Sequence, residues 1–163
     1  MDSMDIDNLL NIPFTWDNRL NILNLVPHKV QVRFAIFCAE QVIYHIDDTQ
    51  HPAHKAINAA KLFLGDKVSR KECNTAYAAA YAAADAAADA AAYAAADAAY
   101  AAAASTTAYA AAADAAYAAA DAADAATNKQ SSIKNDQISY LRDLILQNLP
   151  EEHKDNWLLI ASI

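Results

Sequence analysis

Residues 76–126 read AYAAAYAAADAAADAAAYAAADAAYAAAASTTAYAAAADAAYAAADAADAA, and this stretch decides the fold. It contains 36 Ala, six Asp, six Tyr and a single Ser-Thr-Thr interruption, with no Lys, Arg, Gly or Pro. Ala has the highest helix propensity, and the stretch holds no helix-breaking residue. The sequence therefore predicts helix over nearly all of these residues.

The interruption Ser105-Thr106-Thr107 leaves two arrangements open. Ser and Thr favour N-cap positions, so they could start a second helix. They could equally lie inside one helix of roughly 57 residues, which would be about 85 Å long. That length does not fit one small domain, so we favour a break near residues 104–107. Two Ala-rich helices could then pack at the short interaxial distance, about 8 Å, that rows of methyl groups allow.

The Asp and Tyr residues of the stretch fall mostly three or four positions apart, a spacing that lines residues up along a helix surface. We expect them to project away from the helix contact, with ordinary acidity for the Asp residues. This surface either keeps an apolar helix soluble or binds a partner. The candidate partner-binding residues are Asp85, Asp89, Asp97, Asp114, Asp121, Asp124, Tyr81, Tyr93 and Tyr117.

The net charge of −8 indicates what kind of partner could bind. Six of the negative charges come from residues 76–126, which carry no positive charge. An acidic surface repels nucleic acid and anionic membranes and attracts basic proteins. The repeated Asp residues also oppose membrane insertion. With two Cys and no signal peptide, the chain is expected to be cytoplasmic.

The flanking segments carry the large apolar side chains and local helix signals. We expect one all-α domain over residues 1–163 with about seven helices, the low-complexity helices at 70–126, a linker at 127–132 and C-terminal helices at 133–161. The signals are Thr15 as an N-cap, Pro27, Pro52 and Pro150 at helix starts, Gly65 as the C′ residue after a helix end, where glycine suits the left-handed conformation, and a Ser69–Glu72 capping box. The predicted core residues are Phe34, Ile36, Ile43, Ile57, Leu141 and Leu144.

Catalytic and metal-binding signals are weak. His45, Asp47, Asp48, His51 and His54 are close in sequence, but their spacing matches no zinc pattern. Cys38 and Cys73 are far apart and form no CxxC motif. A single Gly excludes a glycine-rich phosphate loop. We therefore expect no enzyme activity, no cofactor and no bound metal.

A series of residues along the chain gives it a resemblance to a known family. They are Cys38-Ala39-Glu40 with Val42, then Pro52, Ala56-Ile57, Ala59-Ala60 and Leu64-Gly65, then the Ala-rich helices, then Leu141 and Leu149-Pro150. From about residue 30 to 157 the chain resembles the all-helical, Ala-rich immunity proteins of bacterial polymorphic-toxin systems. The resemblance implies a small cytoplasmic protein that binds and neutralises a cognate toxin without catalysis.

Three function classes follow from these observations. The first is a toxin-neutralising protein, since many toxins act on nucleic acid and present basic clefts to an acidic partner. The second is a structural protein that assembles as a homo-oligomer through its Ala-rich helices. The third is binding to ice or another regular surface, which the bulky charged residues and the ordinary flanking core disfavour.

Overall fold

The chain folds as an all-α protein. The computed structural model describes residues 4–46, 48–87, 90–104, 107–127 and 130–161. All regular structure in these ranges is helical, as expected. They contain nine α-helices, compared with about seven predicted: α1 Ile6–Leu9, α2 Arg19–Asn24, α3 His28–Glu40, α4 Pro52–Leu64, α5 Arg70–Ala87, α6 Ala90–Ala103, α7 Ala108–Thr127, α8 Gln130–Asn148 and α9 Glu151–Ala161.

Two short 3₁₀ helices, Trp16–Asn18 and Ile43–His45, complete the described helical structure. The first follows Thr15 and runs directly into α2, as the N-cap prediction required. The second follows α3, which ends at Glu40. Pro27 precedes α3 as its N-cap residue, and Pro52 begins α4 as predicted.

A reciprocal cap starts α5, as the sequence predicts. The Ser69 backbone N–H donates to the Glu72 carboxylate at 2.7 Å, and the Glu72 N–H donates to Ser69 Oγ at 3.3 Å. These bonds satisfy backbone donors that a helix start leaves without partners. The Ser69 N–H and the Ser69 hydroxyl, at 2.8 Å, both donate to the Glu72 carboxylate, and these two bonds lower its pKa.

At the end of α4 the left-handed conformation is taken by a different residue from the one predicted. Gly65 has φ −92° and is the C-cap, whereas Asp66 has φ 55°. The Lys67 N–H donates to Leu62 O at 2.9 Å and the Asp66 N–H to Phe63 O at 3.0 Å, which is the Schellman pattern. The conformation that favours glycine therefore falls on Asp66.

The Ala-rich region forms three helices, α5, α6 and α7, where the sequence suggested a pair. Tyr77 packs against Tyr100 and Tyr81 against Tyr93, so α5 and α6 run antiparallel. A break between Ala103 and Ala108 separates α6 from α7, and Thr107 O accepts from the N–H groups of Ala110 and Ala111. The expected break near 104–107 is confirmed, while Ser105 and Thr106 lie outside the described residues.

Helix α6 is the centre of the fold. It contacts α3, α4, α5 and α7. Because it is surrounded, seven of its alanines are fully buried: Ala94, Ala95, Ala96, Ala98, Ala99, Ala101 and Ala102. The expectation that the flanking segments carry the core is therefore incomplete, since alanine methyl groups fill its middle. A surrounded helix with such small side chains lets its neighbours approach closely.

Large side chains close the core around these alanines. Phe34 and Leu141 are fully buried, and Ile36, Ile57 and Leu144 are nearly so, whereas Ile43 is half-buried. The predicted core is confirmed for the five buried positions.

Gln31 is also buried, and its Nε2 donates to Leu23 O at 2.8 Å and Val26 O at 3.0 Å, carbonyls at and just after the end of α2.

The C-terminal helices cover one side of this core. Helix α8 begins at Gln130, inside the segment that the sequence suggested as a linker, and contacts α3 and α7. Pro150 precedes α9, as predicted. Trp157 of α9 is buried and packs edge-to-face against Phe14, with ring centroids 5.1 Å apart.

Candidate functional site

The predicted Asp/Tyr surface is retained on α7. Asp114 and Tyr117 are exposed and Asp121 is half-buried, and their three-four spacing puts them along one side of the helix. Tyr117 is 52% exposed, the highest value among the described tyrosines of the Ala-rich region. Partial burial raises the pKa of the Asp114 carboxyl, while the nearby Arg19 charge lowers it. We define Asp114, Tyr117 and Asp121 as the α7 surface.

Asp97 is not part of an exposed surface. It is half-buried on α6, and burial, followed by the charge of Asp114, raises its pKa from 3.8 to about 7. The expectation of ordinary acidity is wrong for Asp97, because α6 is surrounded by other helices, and it is wrong for Asp114 as well, since partial burial raises that pKa too. Of the remaining candidates, Asp89 and the side chains of Asp85 and Asp124 lie outside the described residues.

The tyrosines of α5 and α6 face one another, and this corrects the expectation that they point away from the helix contact. Ring centroids lie 4.9 Å apart for Tyr77 and Tyr100, 5.6 Å for Tyr77 and Tyr81, and 5.3 Å for Tyr81 and Tyr93. Tyr81 keeps 41% of its surface exposed, whereas Tyr93 is half-buried. This tyrosine cluster stabilises the α5–α6 contact, since aromatic pairs at these distances attract one another.

A second group of residues beside the α7 surface was not predicted from the sequence. The Arg19 guanidinium carbon lies 3.6 Å from the centroid of the Trp16 ring and 6.0 Å from that of Tyr117. Lys134 Nζ lies 4.1 Å from the same Trp16 centroid. We call Trp16, Arg19 and Lys134 the Trp16 cluster. The three-residue spacing of Trp16 and Arg19 is the local signal that could have indicated it.

A buried glutamine holds this cluster in place. Trp16 Nε1–H donates to Gln137 Oε1 at 3.0 Å, and Gln137 Nε2 donates to Ala116 O at 3.3 Å. Gln137 is fully buried. It therefore links the N-terminal 3₁₀ helix to α7 and α8 through polar bonds that are shielded from water.

The histidines near residues 45–54 have structural contacts. His51 Nδ1 accepts the Ala53 N–H at 3.2 Å and so caps α4, and His54 Nε2 is hydrogen-bonded to Ile46 O at 3.3 Å. The side chain of His45 and all of Asp47 lie outside the described residues. Among the residues that are described, no three His, Cys, Asp or Glu side chains come together as a metal site would need.

Two cysteines and one small cleft carry groups of the kinds that catalysis uses. Cys38 and Cys73 are buried, and burial raises the pKa of both thiols, which disfavours the reactive thiolate. A cleft of about 170 Å³ is lined in part by Glu40, His54 and Lys61. Glu40 and Lys61 form an ion pair at 2.5 Å across it. Both side chains are exposed, so this is an ordinary surface ion pair.

Each helix within the described ranges is too short or too polar to cross a lipid bilayer.

The arrangement as a whole offers an exposed carboxylate and an exposed tyrosine on α7, with the Trp16 cluster beside them. This composition is typical of a protein-binding surface, in which Tyr, Trp and Arg supply much of the binding energy. Comparisons with protein-family models, with curated proteins and with solved structures found no match to this chain.

Proposed function

We propose that this chain is a cytoplasmic, non-catalytic immunity protein that binds a basic toxin through the α7 surface. The observation that carries the proposal is the exposed pair Asp114 and Tyr117 on a helix that holds no basic residue. The carboxylate would attract the partner at long range, and the tyrosine would anchor it once docked. The net charge of −8 also favours a positively charged partner.

The placement of the other Asp residues narrows the proposed surface. Asp97 is half-buried, and burial, followed by the charge of Asp114, raises its pKa, so it contributes little to a contact surface. Asp85, Asp89 and Asp124 remain candidates from the sequence alone. The proposed binding residues are thus centred on α7, and Tyr81, at the exposed edge of the tyrosine cluster, is a second contact candidate.

Homo-oligomeric assembly is the alternative. Alanines at 78, 79 and 82 on α5 are exposed and could pack against a second copy. However, the alanines of α6 are buried within the chain, which leaves less methyl surface for assembly than the sequence suggested. A molecular mass by light scattering that rises with protein concentration would favour this alternative.

The experiment begins with co-purification from the native host. The proposal requires a basic partner whose toxic activity is lost on binding. Stopped-flow association is then measured for Asp114→Asn combined with Asp121→Asn, and separately for Tyr117→Ala. The Asp variant should associate about tenfold more slowly at low salt, with a smaller difference at high salt, because ions screen long-range attraction. Tyr117→Ala should mainly speed dissociation.

Asp143→Asn is the matched control, since it removes an exposed carboxylate from α8 rather than from α7. It should leave the association rate nearly unchanged. If the α7 variants and Asp143→Asn bind the partner equally well, the α7 surface is not the interface.

A further inference from the structure

The tyrosine cluster forms a continuous row of four rings between α5 and α6. Tyr77 and Tyr81 lie one turn apart on α5, and Tyr93 and Tyr100 meet them from α6. Successive ring centroids are 4.9 Å apart for Tyr100 and Tyr77, 5.6 Å for Tyr77 and Tyr81, and 5.3 Å for Tyr81 and Tyr93. Each ring is therefore in contact with the next ring of the row.

One ring of the row is open to solvent. Tyr81 keeps 41% of its surface exposed, whereas Tyr77, Tyr93 and Tyr100 are half-buried. A reagent dissolved in water therefore reaches Tyr81 first. The rings beside Tyr81 belong to Tyr77 on the same helix and to Tyr93 on the neighbouring helix.

Contact between two phenols permits a reaction that a single phenol cannot undergo. A tyrosine that loses one electron and its O–H proton becomes a neutral radical, and the unpaired electron lies partly on the ring carbons next to the C–O carbon. Two such radicals in contact form a carbon–carbon bond between these ortho carbons. The hydrogen on each of the two carbons then moves to the phenolic oxygen, which restores both O–H groups.

The geometry favours one pair for this coupling. Tyr81 and Tyr93 meet edge to face, with an angle of 75° between their planes, so the edge that carries the ortho carbons of one ring lies against the other ring. Rotation about the Cβ–Cγ bond changes this angle without moving the ring centre, and that torsion is soft. Tyr77 and Tyr100 also connect the two helices, but both of them are half-buried.

We propose that the tyrosine cluster is a site of oxidative modification, at which hydrogen peroxide, acting through a one-electron oxidant of the haem peroxidase class, joins Tyr81 to Tyr93 as dityrosine. Each phenol gives up one electron and one proton. The peroxide takes both electrons and both protons and is reduced to water. The chain loses two hydrogen atoms and gains a covalent bond between α5 and α6. The site does not depend on the proposed toxin.

The test treats the purified chain with hydrogen peroxide and a haem peroxidase, and then isolates the monomer under denaturing conditions. Dityrosine is detected by its blue fluorescence and by a mass that is lower by two hydrogen atoms. The fraction of linked monomer should not change when the protein is diluted, because both rings belong to the same chain. A link between two chains would instead appear as a dimer and would decrease on dilution.

The position of the link is found by cleavage before Asp residues. Trypsin cannot locate it, because no Lys or Arg lies between Lys71 and Lys129. Cleavage before Asp places Tyr81 in the fragment 66–84 and Tyr93 in the fragment 89–96, while Tyr100 falls in the fragment 97–113. We expect the fragment 66–84 to be joined to the fragment 89–96.

Three variants test the assignment. Tyr81→Phe and Tyr93→Phe keep the aromatic rings but lack the phenolic O–H, so each should lose the link between the fragments 66–84 and 89–96. Tyr117→Phe is the matched control. Tyr117 is more exposed than Tyr81, at 52%, but its ring lies next to that of Trp16, with centroids 6.3 Å apart. This control should form the link as the parent does, and circular dichroism checks that each variant is folded.

Three results would overturn the proposal. One is a treated monomer that contains no dityrosine. Another is a link between the fragments 66–84 and 89–96 that persists in folded Tyr81→Phe or Tyr93→Phe. The third is a link that joins the fragment 66–84 to the fragment 97–113 instead, since this would assign the coupling to Tyr77 and Tyr100.

Discussion

The half-buried carboxyl of Asp97 leads to a specific prediction about stability and pH. Its pKa in the folded chain is about 7, compared with an ordinary value of 3.8, and burial is the main cause. Between pH 4 and pH 7 the folded state therefore holds a proton that the unfolded state has released. Under this condition the free energy of unfolding falls as pH rises. The contribution of Asp97 is fully present near pH 4 and is lost as pH passes 7.

The size of the effect follows from the pKa difference. A shift from 3.8 to about 7 corresponds to roughly 4 kcal/mol lost on going from pH 4 to pH 8. Asp97→Asn cannot ionise, so it should show none of this loss. The variant should be more stable than the parent at pH 8, and its advantage should shrink or reverse near pH 4.

Urea denaturation at several pH values measures this difference directly. Subtracting the parent from Asp97→Asn removes the titration of carboxyls that both chains share, such as Glu72, whose lowered pKa acts in the opposite direction. Asp143→Asn is the control, because Asp143 is exposed on α8 and its charge is not among the causes of the raised Asp97 pKa. If the stability difference between Asp97→Asn and the parent is the same at pH 4 and pH 8, Asp97 is not buried as described.

Three further positions test the core packing, a helix end and a buried hydrogen-bond link: Ala98, Asp66 and Gln137. Ala98→Leu at a buried position of α6 should lower stability by about 1–3 kcal/mol, whereas Ala79→Leu at an exposed position of α5 should change it by less than about 0.5 kcal/mol, as thermal unfolding would show. Asp66→Gly should raise the melting temperature by a few degrees, for a gain of roughly 0.5–1 kcal/mol, because Asp66 occupies the left-handed conformation. Gln137→Leu should cost about 1–3 kcal/mol in urea unfolding, while the exposed Gln147→Leu should cost little; equal effects would remove the structural role of Gln137.

The helix starts could be predicted from the sequence because they depend on local chemistry. The Ser69–Glu72 cap and Pro52 at the start of α4 involve residues a few positions apart. The cap at the end of α4 was harder, because Gly65-Asp66 offers two residues that tolerate a helix end. Glycine was the natural choice for the left-handed position, but the Schellman bonds place Asp66 there.

The central position of α6 could not be predicted, for a physical reason. Hydrophobic periodicity identifies a buried face by contrast between apolar and polar positions. In residues 90–103 nearly every position is Ala, so there is no contrast to read. The partial burial of Asp97 could not be predicted for the same reason. In the Trp16 cluster the three-residue spacing of Trp16 and Arg19 is visible in the sequence, but the bond from Trp16 to Gln137, 121 residues away, leaves no local signal.

A surrounded helix made of identical methyl groups raises a problem of register. If α6 moved along its axis by one turn, most of its alanines would meet alanine-sized spaces again, so methyl packing alone distinguishes poorly between neighbouring positions. The unlike residues must supply the difference. Tyr93 and Tyr100 pack against partners on α5, and His28 Nε2 is hydrogen-bonded to Ala101 O at 2.8 Å. These few contacts can form only when α6 lies at one position along its axis. They therefore select that position among several of similar packing energy.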